Sequence, residues 1–291
     1  MLKGVWSTSA LLCAVLAMPA SVLAQTTTAP AARPTAELER NFLKNLLRDQ
    51  KAIWTSPAQV RTNDVWWIGS MAGATAAFIA TDRRTGDAVA EQHPDWVDPS
   101  AAISHAGAAY AVYPAAAAFY LMGRAAKSDR LTETGLLAGE ALINSAIVTG
   151  VVKGITQRAR PDSGDERSQF FVGGSSFPSG HASNIWSVAT VVASEYHDRK
   201  IVPVVAYTAA AVVSMSRFTG QRHYLSDVLV GSAIGFGVGR YVYRVHHLDA
   251  VRGTGASGVP APRTGTNKWP LISPHVDRHA QRYSIGLSWI Y

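Results

Sequence analysis

Residues 175–184, SSFPSGHASN, run directly into the apolar stretch Ile185, Trp186, Val188, Ala189, Val191 and Val192. Pro178 and Gly180 interrupt whatever precedes them. A serine just before an apolar run is a helix N-cap, because its side-chain oxygen accepts from an otherwise unpaired amide. On that ground alone Ser179 is a cap and His181 an ordinary first-turn residue. Short Gly/Ser/Pro turns before helices are common, so the stretch by itself fixes a helix start and nothing more. Its surroundings carry the argument further.

Six stretches rich in alanine and aliphatic residues punctuate the chain: 65–81, 104–123, 133–152, 181–196, 201–216 and 226–246. Ahead of them, Leu38, Phe42, Leu46 and Ile53 recur at helical spacing among charges, which predicts an amphipathic helix over 35–54. No run alternates with period two before the last residues. The expected fold is therefore all-α, a helical bundle with a six-helix core. Near the C-terminus, 249–268 is Gly/Pro/Thr-rich and reads as a loop. RYSIGLSWIY at 282–291 alternates as a strand does and is expected to pair with 269–276 in a terminal hairpin. Two strands cannot close an outer-membrane barrel.

The first residues read as an export signal: Lys3, an apolar centre from Ala10 to Ala17, and Val22-Leu23-Ala24 as a small-residue cleavage site before Gln25. The organisation expected is a signal peptide at 1–24, a leader and amphipathic helix at 25–64, a catalytic domain at 65–248, and a loop with terminal strands at 249–291. Cys13 is the single cysteine and lies inside the signal, with the bulky Leu12 before it, so neither a lipid anchor nor a disulfide is expected. The formal charge of +7 becomes +6 without Lys3, an excess that suits anionic partners. The arginines cluster near particular turns and form no stripe, which argues for phosphate over nucleic acid. The apolar stretches sit at the short edge of what a bilayer requires, and Glu140, Asn144 and His105 lie within or beside them. If all six crossed a membrane after export, the loop 153–180 would face the cytoplasm. The reading therefore favours a bundle on the periplasmic side, lying against the membrane.

Three short segments carry chemistry. Lys153 is followed by six residues and Arg160-Pro161, a spacing of about two helical turns, so both cations are expected to project from one face of a helix that Pro161 ends. Pro178-Ser179-Gly180-His181 opens the fourth apolar helix. Ser216-Arg217 is followed by five residues, His223, three residues and Asp227, so that the last two are neighbours if their turn is helical. Should these parts meet, Lys153, Arg160 and Arg217 offer many N–H donors, with the arginine forks matching phosphate oxygens in pairs. Ser179 and Gly180 add a helix start where free amides attract an anion. Two histidines are what metal-free phosphoester cleavage requires, one to attack phosphorus and one to protonate the leaving group. Asp227 would fix the His223 tautomer and steady its cation. Taken singly, each is equally an ordinary feature: helix-end cations, a surface arginine, an exposed helical pair. No His-x-x-x-His spacing supports a metal at the histidines.

At these residues the chain resembles the type 2 phosphatidic acid phosphatase/haloperoxidase superfamily, whose three-part signature is intact here. The resemblance covers about 65–246. It implies that Lys153, Arg160, Arg217, Ser179 and the Gly180 amide bind phosphate. It further implies that His223 forms a phosphohistidine with Asp227 as its partner, and that His181 is the general acid. No cofactor is implied for a phosphatase, whereas the haloperoxidases of the family hold vanadate in the same cradle. A short chain without long insertions favours the phosphatase, a phosphoric monoester hydrolase. Its expected substrate is a lipid or isoprenoid phosphate or a soluble monoester. A helical envelope protein with a relict signature is the non-enzymatic alternative. Phe170, Phe171 and Phe177 either line an entry for an acyl chain or pack the loop.

Overall fold

The computed structural model describes residues 35–60, 62–247, 271–277 and 282–288. The expected signal peptide, the leader up to residue 34 and the 249–268 loop lie outside the described residues. Backbone contacts divide the chain into two units, Met1–Thr254 and Gly255–Tyr291. In the second unit, Leu271–Asp277 pairs antiparallel with Arg282–Ser288.

The described residues of the first unit are helical. We label the α-helices α1 (Thr35–Thr55), α2 (Val65–Gln92), α3 (Val97–Ser104), α4 (Ala109–Ala125), α5 (Asp129–Thr156), α6 (Gly180–Glu195), α7 (Ile201–Thr219) and α8 (Leu225–Val242), the last running into a π-helical turn at Tyr243–His247. Capping accounts for several starts. Ser128 accepts from the Leu131 amide at α5, and Ser179 from the Ala182 amide at α6. The core lies where α5, α6 and α8 meet, around Leu137, Leu142, Val191, Tyr196 and Val242, with Val112 and Phe119 of α4 closing one side.

One seam sets how closely α6 and α8 approach. Gly231, Gly235 and Gly239 recur every fourth residue on α8 and face Ser179, Ser183 and Ser187 on α6. A Cβ at position 231 would stand 2.3 Å from the Ser179 carbonyl oxygen, and one at 235 would stand 2.2 Å from that of Ser183. Only glycine permits that approach of backbone to backbone.

Three expectations need correction. The first apolar helix does not end at residue 81: α2 continues to Gln92, because Asp82 turns into the interior and finds partners there. The stretch expected as one helix from 104 begins instead with α3 and a 3₁₀ turn at His105–Gly107, so that α4 starts at Ala109. Helix α5 stops at Thr156, short of Arg160. Gln157 adopts the left-handed conformation (φ 43°, ψ 42°), and its amide returns to the Lys153 carbonyl. Lys153 and Arg160 therefore do not share a helical face; Arg160 arrives by a turn.

Candidate active site

The three segments singled out by sequence are bonded to one another. Lys153, in the last turn of α5, donates through Nζ to the carbonyls of Ser175 (2.6 Å) and Pro178 (2.7 Å). The Ser179 amide donates to the Asp227 carbonyl (2.9 Å), joining the starts of α6 and α8. The His223 amide donates to the Arg217 carbonyl (3.1 Å), tying the third segment to itself across its turn. Arg160 reaches the Ser175 hydroxyl through Nη2 at 3.4 Å. Gly180 presents its bare Cα face toward Lys153: a Cβ there would lie 4.0 Å from Lys153 Cε.

His223 is buried just before α8. Its Nδ1 lies 2.8 Å from the carbonyl oxygen of Ser176. A carbonyl only accepts, so Nδ1 carries the proton and Nε2 is left with the free lone pair. Asp227 was expected to fix this tautomer. Its Oδ2 stands 3.6 Å from Nδ1, close enough for charge attraction, while the bond itself goes to Ser176. The Asp227 carboxylate instead accepts from the Ser176 hydroxyl (2.5 Å), the Tyr224 amide (2.9 Å) and Arg158 Nη1 (2.6 Å). It holds the residue that holds the histidine.

Arg158 went unnoticed in the sequence. It is fully buried and forks between two carboxylates, Nη1 to Asp227 and Nη2 to Asp82 Oδ2 at 2.9 Å, with Ser226 and Ser168 hydroxyls taking further bonds. The rings of Tyr224 and Phe170 lie over its guanidinium, 4.4 and 4.8 Å away. Its signal was present as the first arginine of Arg158-Ala159-Arg160. Asp82 was equally visible, as the first charge after an uncharged apolar run. The aromatic trio divides. Phe177 is buried edge-on to Phe170 (5.9 Å), which packs the loop, and Phe171 is 74% exposed.

The charges around the histidines oppose their protonation. Burial, followed by the charge of Arg217, the nearby His223 ring and the charge of Arg160, depresses His181 to about 3. Burial likewise depresses His223 to about 4, against the pull of Asp227. Burial alone would raise Asp227, yet contact with His223 and the charge of Arg158 hold it below the usual carboxylate range. Arg217 is buried, with Nη1 anchored on the Ser104 hydroxyl (2.8 Å) and Nε unpartnered. Such a site is short of negative charge. It offers cationic donors, the free amides of the first turn of α6 and two neutral imidazoles, and an oxyanion would complete it.

Residues 134–249, which contain all three segments, match the sequence model of the PAP2 superfamily. Over 111 residues it is 32% identical to a protein named lipid A 1-phosphatase from Porphyromonas gingivalis, a match that spans 38% of this chain and 25% of the relative. The crystal structure of a transmembrane PAP2-type phosphatidylglycerolphosphate phosphatase from Bacillus subtilis aligns with a TM-score of 0.46 and 23% identity, over 72% of this chain and 93% of that one. Among the described residues two helices, α5 and α7, are long and apolar enough to cross a membrane, and 56% and 44% of their apolar windows are buried inside the bundle.

Proposed function

We propose that the protein is a phosphatase that removes the phosphate of a lipid phosphomonoester through a phosphohistidine. The observation that carries this reading is the direct bonding of three distant segments around one anion-ready space, with His223 Nε2 left free. Lys153, Arg160, Arg217, the Ser179 hydroxyl and the Gly180 amide bind the phosphate oxygens. His223 Nε2 attacks phosphorus, the P–N bond forms as the P–O bond to the alcohol breaks, and the leaving oxygen takes a proton from His181. Asp227 steadies the imidazolium formed on attack. Neutral His181 then accepts a proton from water, whose oxygen attacks phosphorus, breaks the P–N bond and releases inorganic phosphate.

The low affinity of His181 for protons in the free protein shapes this scheme. Bound phosphate brings negative charge against its ring and raises that affinity, so the proton arrives with the substrate monoanion. A lipid substrate is supported by the outward face of the helix that carries Lys153 in its last turn, where Ile147, Val151 and Ile155 lie exposed at successive turns, and by the projecting Phe171. Trp66 and Trp67, 80% and 78% exposed at the start of α2, suit a membrane–water boundary. The name of the lipid A 1-phosphatase relative points the same way. On this reading the protein works outside the cytoplasm, against a membrane, with its site on the periplasmic side.

The test is a substrate panel of phosphatidic acid, an isoprenyl phosphate and p-nitrophenyl phosphate, with the His223→Ala protein as control. Phosphate release should be fastest from one of the lipids and fall at least about a thousandfold in the variant. A folded His223→Ala protein that keeps a tenth of the wild-type rate would remove the proposed nucleophile.

A further inference from the structure

Away from the phosphate site, the consecutive histidines of the π-helical turn each meet a pair of carboxylates. His247 Nδ1 lies 2.9 Å from Glu133 Oε1 and 3.6 Å from Glu195 Oε2. A guanidinium balances that group: Arg130 approaches Glu195 Oε1 through Nε at 3.4 Å and pairs with Asp198. His246 Nε2 lies 3.1 Å from both carboxylate oxygens of Asp49 and 3.4 Å from Glu140 Oε1. Among the described residues no lysine or arginine pairs with Asp49 or Glu140.

The second group is also the drier. Asp49, Glu140 and His246 are 0%, 2% and 3% exposed. Glu140 Oε1 is aimed at the imidazole and has no hydrogen-bond partner. Two buried carboxylates with a single imidazole as their only chargeable neighbour are expensive. We infer that Asp49, Glu140 and His246 hold a divalent first-row metal ion, of the Zn²⁺ or Mn²⁺ kind. The ligand atoms lie within 4.8 Å of one another. Donors about 2.0–2.1 Å from a tetrahedral Zn²⁺ stand roughly 3.3 Å apart, close to the separations here. Two carboxylate oxygens and an imidazole nitrogen suit such ions, whereas Ca²⁺ and Mg²⁺ prefer oxygen alone. The outer contacts are those of an oriented ligand: Asn144 Nδ2 donates to Asp49 Oδ2 (3.1 Å), and Gln50 Nε2 fixes Asn144 (2.7 Å).

The ion fastens α1 and the turn after α8 to the middle of α5. Glu140 precedes Lys153 by thirteen positions, about 20 Å along the helix, so the ion takes no part in cleavage. The inference stands independently of the proposed phosphatase activity.

The test is metal analysis of the full chain purified without chelator from zinc-supplemented cells. The expected content is about one ion per chain, since binding of this kind is coupled to folding. Stripping with dipicolinate in mild denaturant should lower Tm by several degrees, and Zn²⁺ or Mn²⁺ should restore it where Mg²⁺ does not. Glu140→Gln and His246→Gln should lose the ion, and Glu195→Gln should keep it. If the variants fail to fold, Co²⁺ exchanged into the wild type should give the visible spectrum of mixed nitrogen and oxygen coordination. Wild-type protein with far less than one ion per chain, and a Tm indifferent to Zn²⁺ and Mn²⁺, would overturn the assignment and leave a shared proton in the cluster. Retention of the ion by folded Glu140→Gln would overturn it as well.

Discussion

Helices α5, α6 and α8 each have one end among cations and the other among carboxylates. α5 carries Glu133 and Glu140 early and Lys153 late, α6 runs from His181 to Glu195, and α8 runs from Asp227 to the turn bearing His246 and His247. Along α5, Lys153 lies about 20 Å from Glu140 and about 30 Å from Glu133. At one pole positive groups crowd together with an unpartnered Arg217 Nε. At the other, negative groups crowd together with an unpartnered Glu140 Oε1. The helices are the same, but the missing charge has opposite sign. On the two proposals made above, an oxyanion completes one pole and a cation the other.

Substitutions can break that contrast, and the largest effect is expected at the phosphate pole's own counter-charge. Arg158→Met leaves the buried carboxylates of Asp82 and Asp227 without the guanidinium that balances them. We expect a loss of about 3–5 kcal/mol in denaturant unfolding, together with reduced activity as Ser176 is released from Asp227. A loss below 1 kcal/mol would mean that the clamp is not needed. Next comes His181→Ala, which should slow alkyl phosphates about a hundredfold and p-nitrophenyl phosphate far less, because the latter's leaving group needs no acid. Equal losses on both would exclude the role. With His181 depressed to about 3 and the proton carried by the substrate, wild-type kcat/KM should fall as pH rises through the second phosphate ionisation near pH 6. A rate that climbs above pH 7 would reverse that sign. Arg217→Lys keeps the charge and loses the fork, so KM should rise about tenfold with the fold intact. The smallest effect belongs to the opposite pole. His247→Gln should lower Tm by a few degrees and leave turnover unchanged, since Arg130 still balances Glu133 and Glu195. A drop in kcat would show that the poles are coupled.

Sequence reading carried the phosphate pole a long way. Spacing alone placed Lys153, Arg160, the 178–181 turn and the 216–227 segment in one list, and helical periodicity placed the apolar elements. What escaped it was partnership. Arg158 and Asp82 are 76 residues apart and meet only in the folded chain. The acceptor for His223 is a backbone carbonyl, which leaves no mark in the residue letters. The carboxylate pole was hidden for a related reason. Glu140 was noticed only as an awkward charge in an apolar run, and Asp49 falls among the polar positions of what looked like a simple amphipathic helix, although it faces inward. The recurrence of Gly231, Gly235 and Gly239 against Ser179, Ser183 and Ser187 was legible in principle, since both series repeat every fourth residue.

That last pairing bears on how the proposed phosphatase would handle its substrate. Main chain pressed on main chain leaves no side chain to swing aside, so on that proposal the two imidazoles would work like the fixed jaws of a vice. Selection among substrates would then fall on the approach to the jaws, along the greasy flank of α5. A bulkier lipid would be admitted or refused by reshaping that flank, with the cutting edge untouched.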